Sequence, residues 1–166
     1  VRRAEVGDAA AIGSLHVRCW QATYRGLIPQ DYLNGLDASQ RAEQWRQHLA
    51  APKEGGSVLI IDLDTQVAGF IAVGASRDED GQNPGEVRAI YLAPEQWNRG
   101  HGLQLMAAGL DELRAGGFRE ATLWVLDRND RARRFYERNG WRLDSAVKVD
   151  HGFGFTLDEV RYRRQL

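Results

Sequence analysis

Two glycines one residue apart, Gly100 and Gly102, close the segment Tyr91-Leu92-Ala93-Pro94-Glu95-Gln96-Trp97-Asn98-Arg99-Gly100-His101-Gly102-Leu103. A strand-like apolar run leads in, and an amphipathic helix pattern leads out. Glycine lets a ligand approach the backbone closely. The free amides and the dipole at a helix start favour an anion there, with Arg99 as an added cation. Phosphate binding fits this pattern, and a packing or turn role for the glycines stays open on this segment alone. The lysine of a Walker-type loop is absent, and Leu105 stands where a dinucleotide fold has its third glycine. A second segment, Asn129-Asp130-Arg131-Ala132-Arg133-Arg134-Phe135-Tyr136-Glu137-Arg138-Asn139-Gly140-Trp141, starts another strand-to-helix unit, with Asn129 as its cap.

These residues need elements to hold them. Arg99–Ala115 places Leu103, Met106, Ala107, Leu110 and Leu113 at helical spacing, and Gly116-Gly117 ends it. Glu86–Leu92 reads as the preceding strand and Ala121–Leu126 as the strand before Asn129. Alternation puts Glu86, Arg88 and Ile90 on one face and Val87, Ala89 and Tyr91 on the other. Upstream, a short strand precedes a helix that Asp8 can cap, carrying Ile12, Leu15 and Cys19. Helical regions follow Pro29 and span Ser39–Leu49. A turn at Lys53–Gly56 leads to strands at Val58–Leu63 and Val67–Gly74, then a polar loop from Arg77 to Gly85. Strands at Trp141–Val149 and Thr156–Arg163 close the chain. This order predicts one α/β domain over residues 1–166, a mixed sheet of about seven strands flanked by four to five helices.

Composition narrows the function classes. The 166 residues carry 22 Lys+Arg against 23 Asp+Glu, a net charge of -1, so no whole-molecule attraction to nucleic acid or membranes is expected. No apolar run approaches the ~18 residues of a membrane span. The single cysteine, Cys19, leaves no internal disulfide and reads as buried packing. With no signal-type apolar segment at the start, cytoplasmic is the default expectation. His16, His48, His101 and His151 lack ligand spacing, so no metal is expected. Only Lys53 and Lys148 are lysines, so 20 of the 22 basic residues are arginine. That reads either as compositional bias or as guanidinium forks around phosphate.

Together the two segments resemble the GNAT superfamily of acyl-CoA-dependent N-acetyltransferases. The family pattern N-x-x-A-x-x-F-Y-x-x-x-G-F/W is met by Asn129, Ala132, Phe135, Tyr136, Gly140 and Trp141. Gly100 and Gly102 meet the turn pattern Q/R-x-x-G-x-G/A, whereas Trp97 departs from it, standing where Gln or Arg is usual. Trp20-x-x-x-Tyr24-x-Gly26-x-x-Pro29 is similar to one branch of small members.

The resemblance implies a GNAT fold, acetyl-CoA as donor, no metal, and direct acetyl transfer to a primary amine of a small molecule or protein. The backbone of Ile90, Tyr91 and Leu92 would then bond the acetyl carbonyl and the pantetheine amides. Arg99, Gly100, His101, Gly102 and Leu103 would cradle the pyrophosphate, Asn129 and Phe135 would border the pantetheine arm, and Arg131 and Arg134 would meet adenosine phosphates. His101 reads as a solvent-facing helix residue rather than a catalyst. For catalysis the resemblance points to Tyr136 as acid, a phenol near ~10 facing a leaving thiol near ~8.5. Tyr136 is expected on the helix face of Ala132, opposite Arg131, Arg134 and Arg138. Glu86 is the candidate base, acting directly or through water, and reads equally as a solvent-exposed charge at the start of a strand. Trp20 and Tyr24, with Tyr32 and Trp45, read either as aromatic walls of the amine site or, for any one of them, more readily as core or interhelical packing. The run Asp78-Glu79-Asp80 either attracts a cationic amine or is solvated loop charge. Small members often form homodimers. Two rival readings remain: a CoA-binding sensor module with little transferase activity, and a domain for another nucleotide.

Overall fold

The computed structural model describes residues 1–52, 55–78 and 83–166. The expected turn at 53–56 and loop at 77–85 therefore lie partly outside the described residues. Seven strands, β1 (Arg2–Arg3), β2 (Ser57–Leu63), β3 (Gln66–Ala75), β4 (Gly85–Leu92), β5 (Glu120–Leu126), β6 (Arg142–Asp150) and β7 (Leu157–Gln165), form one sheet in the order β1-β2-β3-β4-β5-β7-β6. Neighbours are antiparallel except β4 and β5, which are parallel. The helices are α1 (Ala9–Thr23), α2 (Gln30–Asn34), α3 (Ala38–Ala50), α4 (His101–Ala115) and α5 (Asp130–Arg138). Element order and sheet class agree with the sequence expectation, with ends shifted by a residue or two.

Local chemistry sets most boundaries. Asn129 caps α5, its side chain accepting from the Ala132 amide at 3.2 Å. Asp37 caps α3 in the same way, through the Ser39 and Gln40 amides. Asp8 precedes α1 but does not cap it with its side chain. Its carboxylate instead takes the Arg2 guanidinium and the Glu5 amide, tying β1 to the turn before α1.

Each sheet face buries one helical stripe. Leu105, Met106, Leu110 and Leu113 of α4 pack on Leu59, Ile71, Val73, Val87 and Leu123. On the other face Ile12, Leu15 and Cys19 of α1 meet Ile60, Phe70 and Ala93. At roughly 1.5–3 kcal/mol per buried aliphatic or aromatic side chain, this two-sided burial fixes the register of the central strands.

Two irregularities in β4 shape the site. Ala72 pairs with Ala89 and Val73 with Val87, so Arg88 is an extra residue in β4, a β-bulge. Simple alternation therefore fails: Val87 joins Ile90 and Leu92 on the α4 side, and Glu86 turns to the α1 side with Ala89 and Tyr91. The second irregularity is a split. β4 and β5 pair only at Gly85↔Ala121 and Glu86↔Thr122, and beyond that point the ladder ends.

Candidate active site

The split opens into a cavity of about 370 Å³ lined from both sides of the sheet. One wall is Ala89, Ile90, Tyr91 and Leu92 of β4, facing Trp124, Val125 and Leu126 of β5 with Asn129, Arg131, Ala132 and Tyr136 beyond. The opposite end is built by His16, Trp20 and Tyr24 of α1 and its C-terminus, with Lys148, Asp150, Phe153 and Glu159 from the β6–β7 region.

The β4 wall is an unpaired strand edge. The Ala93 amide bonds Ala68 O on β3 at 2.8 Å. By strand alternation the amides and carbonyls of Ile90 and Leu92 face away from β3, into the split. Leu92 O is already taken, by Trp97 Nε1–H at 2.8 Å and Cys19 Sγ–H at 3.3 Å. Ile90 N–H, Ile90 C=O and Leu92 N–H remain for an extended polyamide arm, which can add to such an edge as a strand does. Tyr91 sends its backbone towards β3 and its side chain to the α1 side, so its contribution is the ring and hydroxyl.

Beyond the split lies the glycine turn. Gly100 precedes α4 at φ 86°, with Asn98 also in the left-handed region at φ 61°. A Cβ at position 100 would be strained by that backbone angle. At Gly102 a Cβ would make ordinary contact, 3.6 Å from the Phe135 ring, so the protein's own packing does not demand glycine there. Arg99 and Leu103 are exposed beside the turn. His101 is half-buried, with a buried Nδ1 that has no partner among the described residues, rather than solvent-facing. At the start of α4 the Leu103 amide already donates to Gly100 O at 3.0 Å, which leaves the His101 and Gly102 amides for phosphate oxygens.

Trp97, the departure from the family pattern, has a structural job. The Arg131 guanidinium carbon lies 3.3 Å from the centroid of its ring, and Arg131 Nη2 donates to Thr23 Oγ1 at 3.2 Å. With the indole bonded to Leu92 O, this stack spans the split from the β4–α4 loop to α5 and α1. Arg131 thus turns back over the indole from the stripe it shares with Arg134 and Arg138, and all three are exposed.

Three phenols meet at the cavity. Tyr136 is buried against Phe135, Trp141 and Tyr162, and no partner for its hydroxyl is found among the described residues. Burial pushes its pKa well up, with the Arg131 guanidinium acting the other way, so it holds its proton. Trp20 Nε1–H donates to the Tyr91 hydroxyl at 2.9 Å, and the Tyr24 and Tyr91 hydroxyls are 3.2 Å apart. Burial likewise keeps both of these protonated. Because Tyr91 accepts from Trp20 and shares one hydrogen bond with Tyr24, the pair retains one O–H proton to donate.

Glu86 sits elsewhere. It is 1% exposed, absent from the cavity wall, and its carboxylate accepts from the Arg77 amide (3.0 Å), Nε (3.0 Å) and Nη2 (2.5 Å). Cys19 is buried, and burial pushes its thiol up to about 12, which removes the thiolate that an acyl-enzyme would need. Trp45 lies behind the cavity, its Nε1–H donating to Nδ1 of His16 at 3.1 Å. Asp78 is committed to Arg161 and to Trp124 Nε1, and Glu79 and Asp80 lie outside the described residues.

Of the residues singled out in the sequence, the fold brings Trp20, Tyr24, Ile90, Tyr91, Leu92, Asn129, Arg131 and Tyr136 to one cavity. Phe135 packs behind it against Gly102. Sequence reasoning missed His16, Arg77, Arg88, Trp124, Lys148, Asp150, Phe153 and Glu159 on its walls. Phe153 carried the one usable signal, an aromatic between Gly152 and Gly154 in a hairpin loop. Among the described residues no group of three His, Cys, Asp or Glu side chains could hold a metal ion, and no helix is long and apolar enough to cross a membrane.

A family model described as the acetyltransferase (GNAT) family matches residues 19–141. An uncharacterized N-acetyltransferase of Bacillus subtilis (strain 168), YuaI, is 34% identical over 129 residues, covering 78% of this chain and 72% of that protein. In fold the chain is similar to PaiA N-acetyltransferase from Thermoplasma acidophilum, solved in complex with coenzyme A. That likeness has a TM-score of 0.81 at 18% identity and covers 99% and 97% of the two chains. YncA of Salmonella typhimurium, solved with its cofactor acetyl-CoA, superposes with a TM-score of 0.72 at 23% identity, over 99% and 92%.

Proposed function

The chain belongs to the GNAT acetyltransferase family and is an acyltransferase, and from that premise we propose that it moves an acetyl group from acetyl-CoA directly to a primary amine. The observation that carries this reading is the open edge of β4 beside a protonated, unpartnered Tyr136. The residues present fit the donor. Ile90 and Leu92 offer backbone groups to the pantetheine arm, the amides after Gly100 face its pyrophosphate, and Arg134 lies exposed for the adenosine phosphates. Acetyl-CoA supplies the activated thioester.

The chain's own groups do the rest. A β4 amide facing the split stabilises the carbonyl oxygen as charge develops on it. Tyr136 holds the proton that the departing sulfur needs. The amine enters from the α1 side, between Trp20, Tyr24 and Phe153. A lysine-like amine is free base in only about one molecule in 10³ at neutral pH, so its proton must pass to solvent before the nitrogen attacks. Glu86, with its acceptor positions filled by Arg77, acts as a positioning residue that fixes that guanidinium at the cavity. The buried, protonated Cys19 favours direct transfer over a cysteine intermediate.

The test is thiol release from acetyl-CoA across a panel of amines. Amine-dependent release, with the acetyl group recovered on nitrogen, supports the reading. Tight acetyl-CoA binding without release across the panel would favour a sensor module instead.

A further inference from the structure

The acceptor end of the cavity can be sorted by charge. Glu86 is sealed by Arg77, Asp78 by Arg161, and Glu159 by Lys148 at 2.9 Å. Asp150 spends one oxygen on the Gly152 amide and has no cation among the described residues. On the cationic side, Arg88 lines the cavity without a carboxylate partner among the described residues. Its guanidinium lies flat over Gly74, where a Cβ would come within 2.6 Å of Nη2. That Nη2 donates to Ala75 O at 2.8 Å, while Nε is buried with no hydrogen-bond partner.

We propose that the acceptor amine carries a carboxylate, and that Arg88, the bulge residue of β4, binds it with Arg77 alongside. This rests on the amine-acetylation reading and names its substrate class. The bulge is what turns this arginine onto the acceptor face, and the glycine opposite is what lets it lie down there. A half-buried guanidinium with an unsatisfied N–H is costly, and a native fold keeps one for a reason. A carboxylate matches the fork of a guanidinium with two parallel hydrogen bonds, a match that a hydroxyl or an ammonium lacks. Glu86 holds Arg77 so that the triad Arg77–Glu86–Arg88 keeps one net positive charge beside the cavity. Asp150, on the separate strand β6, faces the amine end of the same molecule. Trp20, Tyr24 and Phe153 add ring surface to the same cavity. A polyamine would instead offer no carboxylate to Arg88 and would leave that guanidinium without an anionic partner.

The experiment pairs amines with and without the carboxylate: glycine, β-alanine, 4-aminobutanoate and phenylalanine, each against the amine lacking its acid group, with spermidine as a further arm. Thiol release is read for the wild type, Arg88→Gln and Arg88→Lys. The expected wild-type preference in kcat/KM, for at least one acid over its counterpart, is about 10-fold or more, the scale of a charge-assisted pair. Arg88→Gln should bring that ratio close to one, mainly through KM, and Arg88→Lys should recover part of it. If Arg88→Gln does not fold, the wild-type ratios and the Lys variant still decide. A wild type that favours the amines without the acid, or spermidine, overturns the inference while leaving amine acetylation intact. So does a ratio that Arg88→Gln does not move. No release from any arm overturns both.

Discussion

The two ends of the cavity are built in different ways. The donor end comes from two contiguous segments: Ile90–Leu103, which runs from β4 into α4, and Asn129–Tyr136, the cap and first turns of α5. The acceptor end is gathered from α1, β4, β5, β6, the β6–β7 loop and β7, residues up to 143 positions apart, from His16 to Glu159. The donor end presents backbone: amides, carbonyls and a glycine turn. The acceptor end presents side chains: indoles, phenols, guanidinia and carboxylates. A site made of backbone holds a ligand shared across a family, whereas a site made of side chains can vary with the substrate while the sheet stays the same.

Substitutions should separate the ends. The largest effect is expected where they meet: Tyr136→Phe should lower kcat to less than roughly a tenth, with little change in either KM, because it removes only the proton for sulfur. Turnover equal to wild type would take Tyr136 out of the chemistry. Next, Gly100→Ala forces a side chain into the left-handed region, at about 1–2 kcal/mol, and should raise KM for acetyl-CoA several-fold while sparing the acceptor KM. A change confined to the acceptor KM would break the division. Phe153→Ala, on the opposite end, should raise the acceptor KM about 3- to 10-fold, as a lost hydrophobic contact does, with the acetyl-CoA KM moving far less. Steady-state titrations of each substrate decide both.

The smallest effect is on stability. Burial pushes His16 down to about 3 from its usual 6.5, so it stays neutral in the fold. The unfolded chain takes up that proton as pH drops below about 6.5, so stability is full above that point and falls towards about 3. His16→Gln should flatten this acid slope in denaturant unfolding measured between pH 6 and 4, while activity at neutral pH changes through the cavity wall alone.

The same contrast explains what could be read from the chain. The spacing of Asn129, Phe135 and Tyr136, and of Gly100 and Gly102, is local, so helix periodicity and turn chemistry place them without knowledge of the tertiary structure. The bulge at Arg88 defeated alternation, because one extra residue reverses every side chain before it and leaves no mark in a single sequence. That reversal moved Glu86 away from Ile90's face and set it on Arg77. Asp8 shows a smaller failure: a good capping residue was captured by Arg2, a partner chosen by the fold. Trp97 broke the family pattern, and only the packed structure reveals Arg131 lying over it.

The two-pair junction between β4 and β5 also has a mechanical side. The sheet is a pair of plates, β1–β4 and β5–β7–β6, hinged at Gly85 and Glu86, with α4 packed on β2, β3 and β4 of the first plate. An arm bonded along Ile90 and Leu92 would act as a splice between the plates, stiffening a seam that the polypeptide leaves unsewn. Amide exchange at Ile90 and Leu92 should therefore slow when acetyl-CoA binds, while exchange at Tyr91, whose amide faces β3, stays nearly the same.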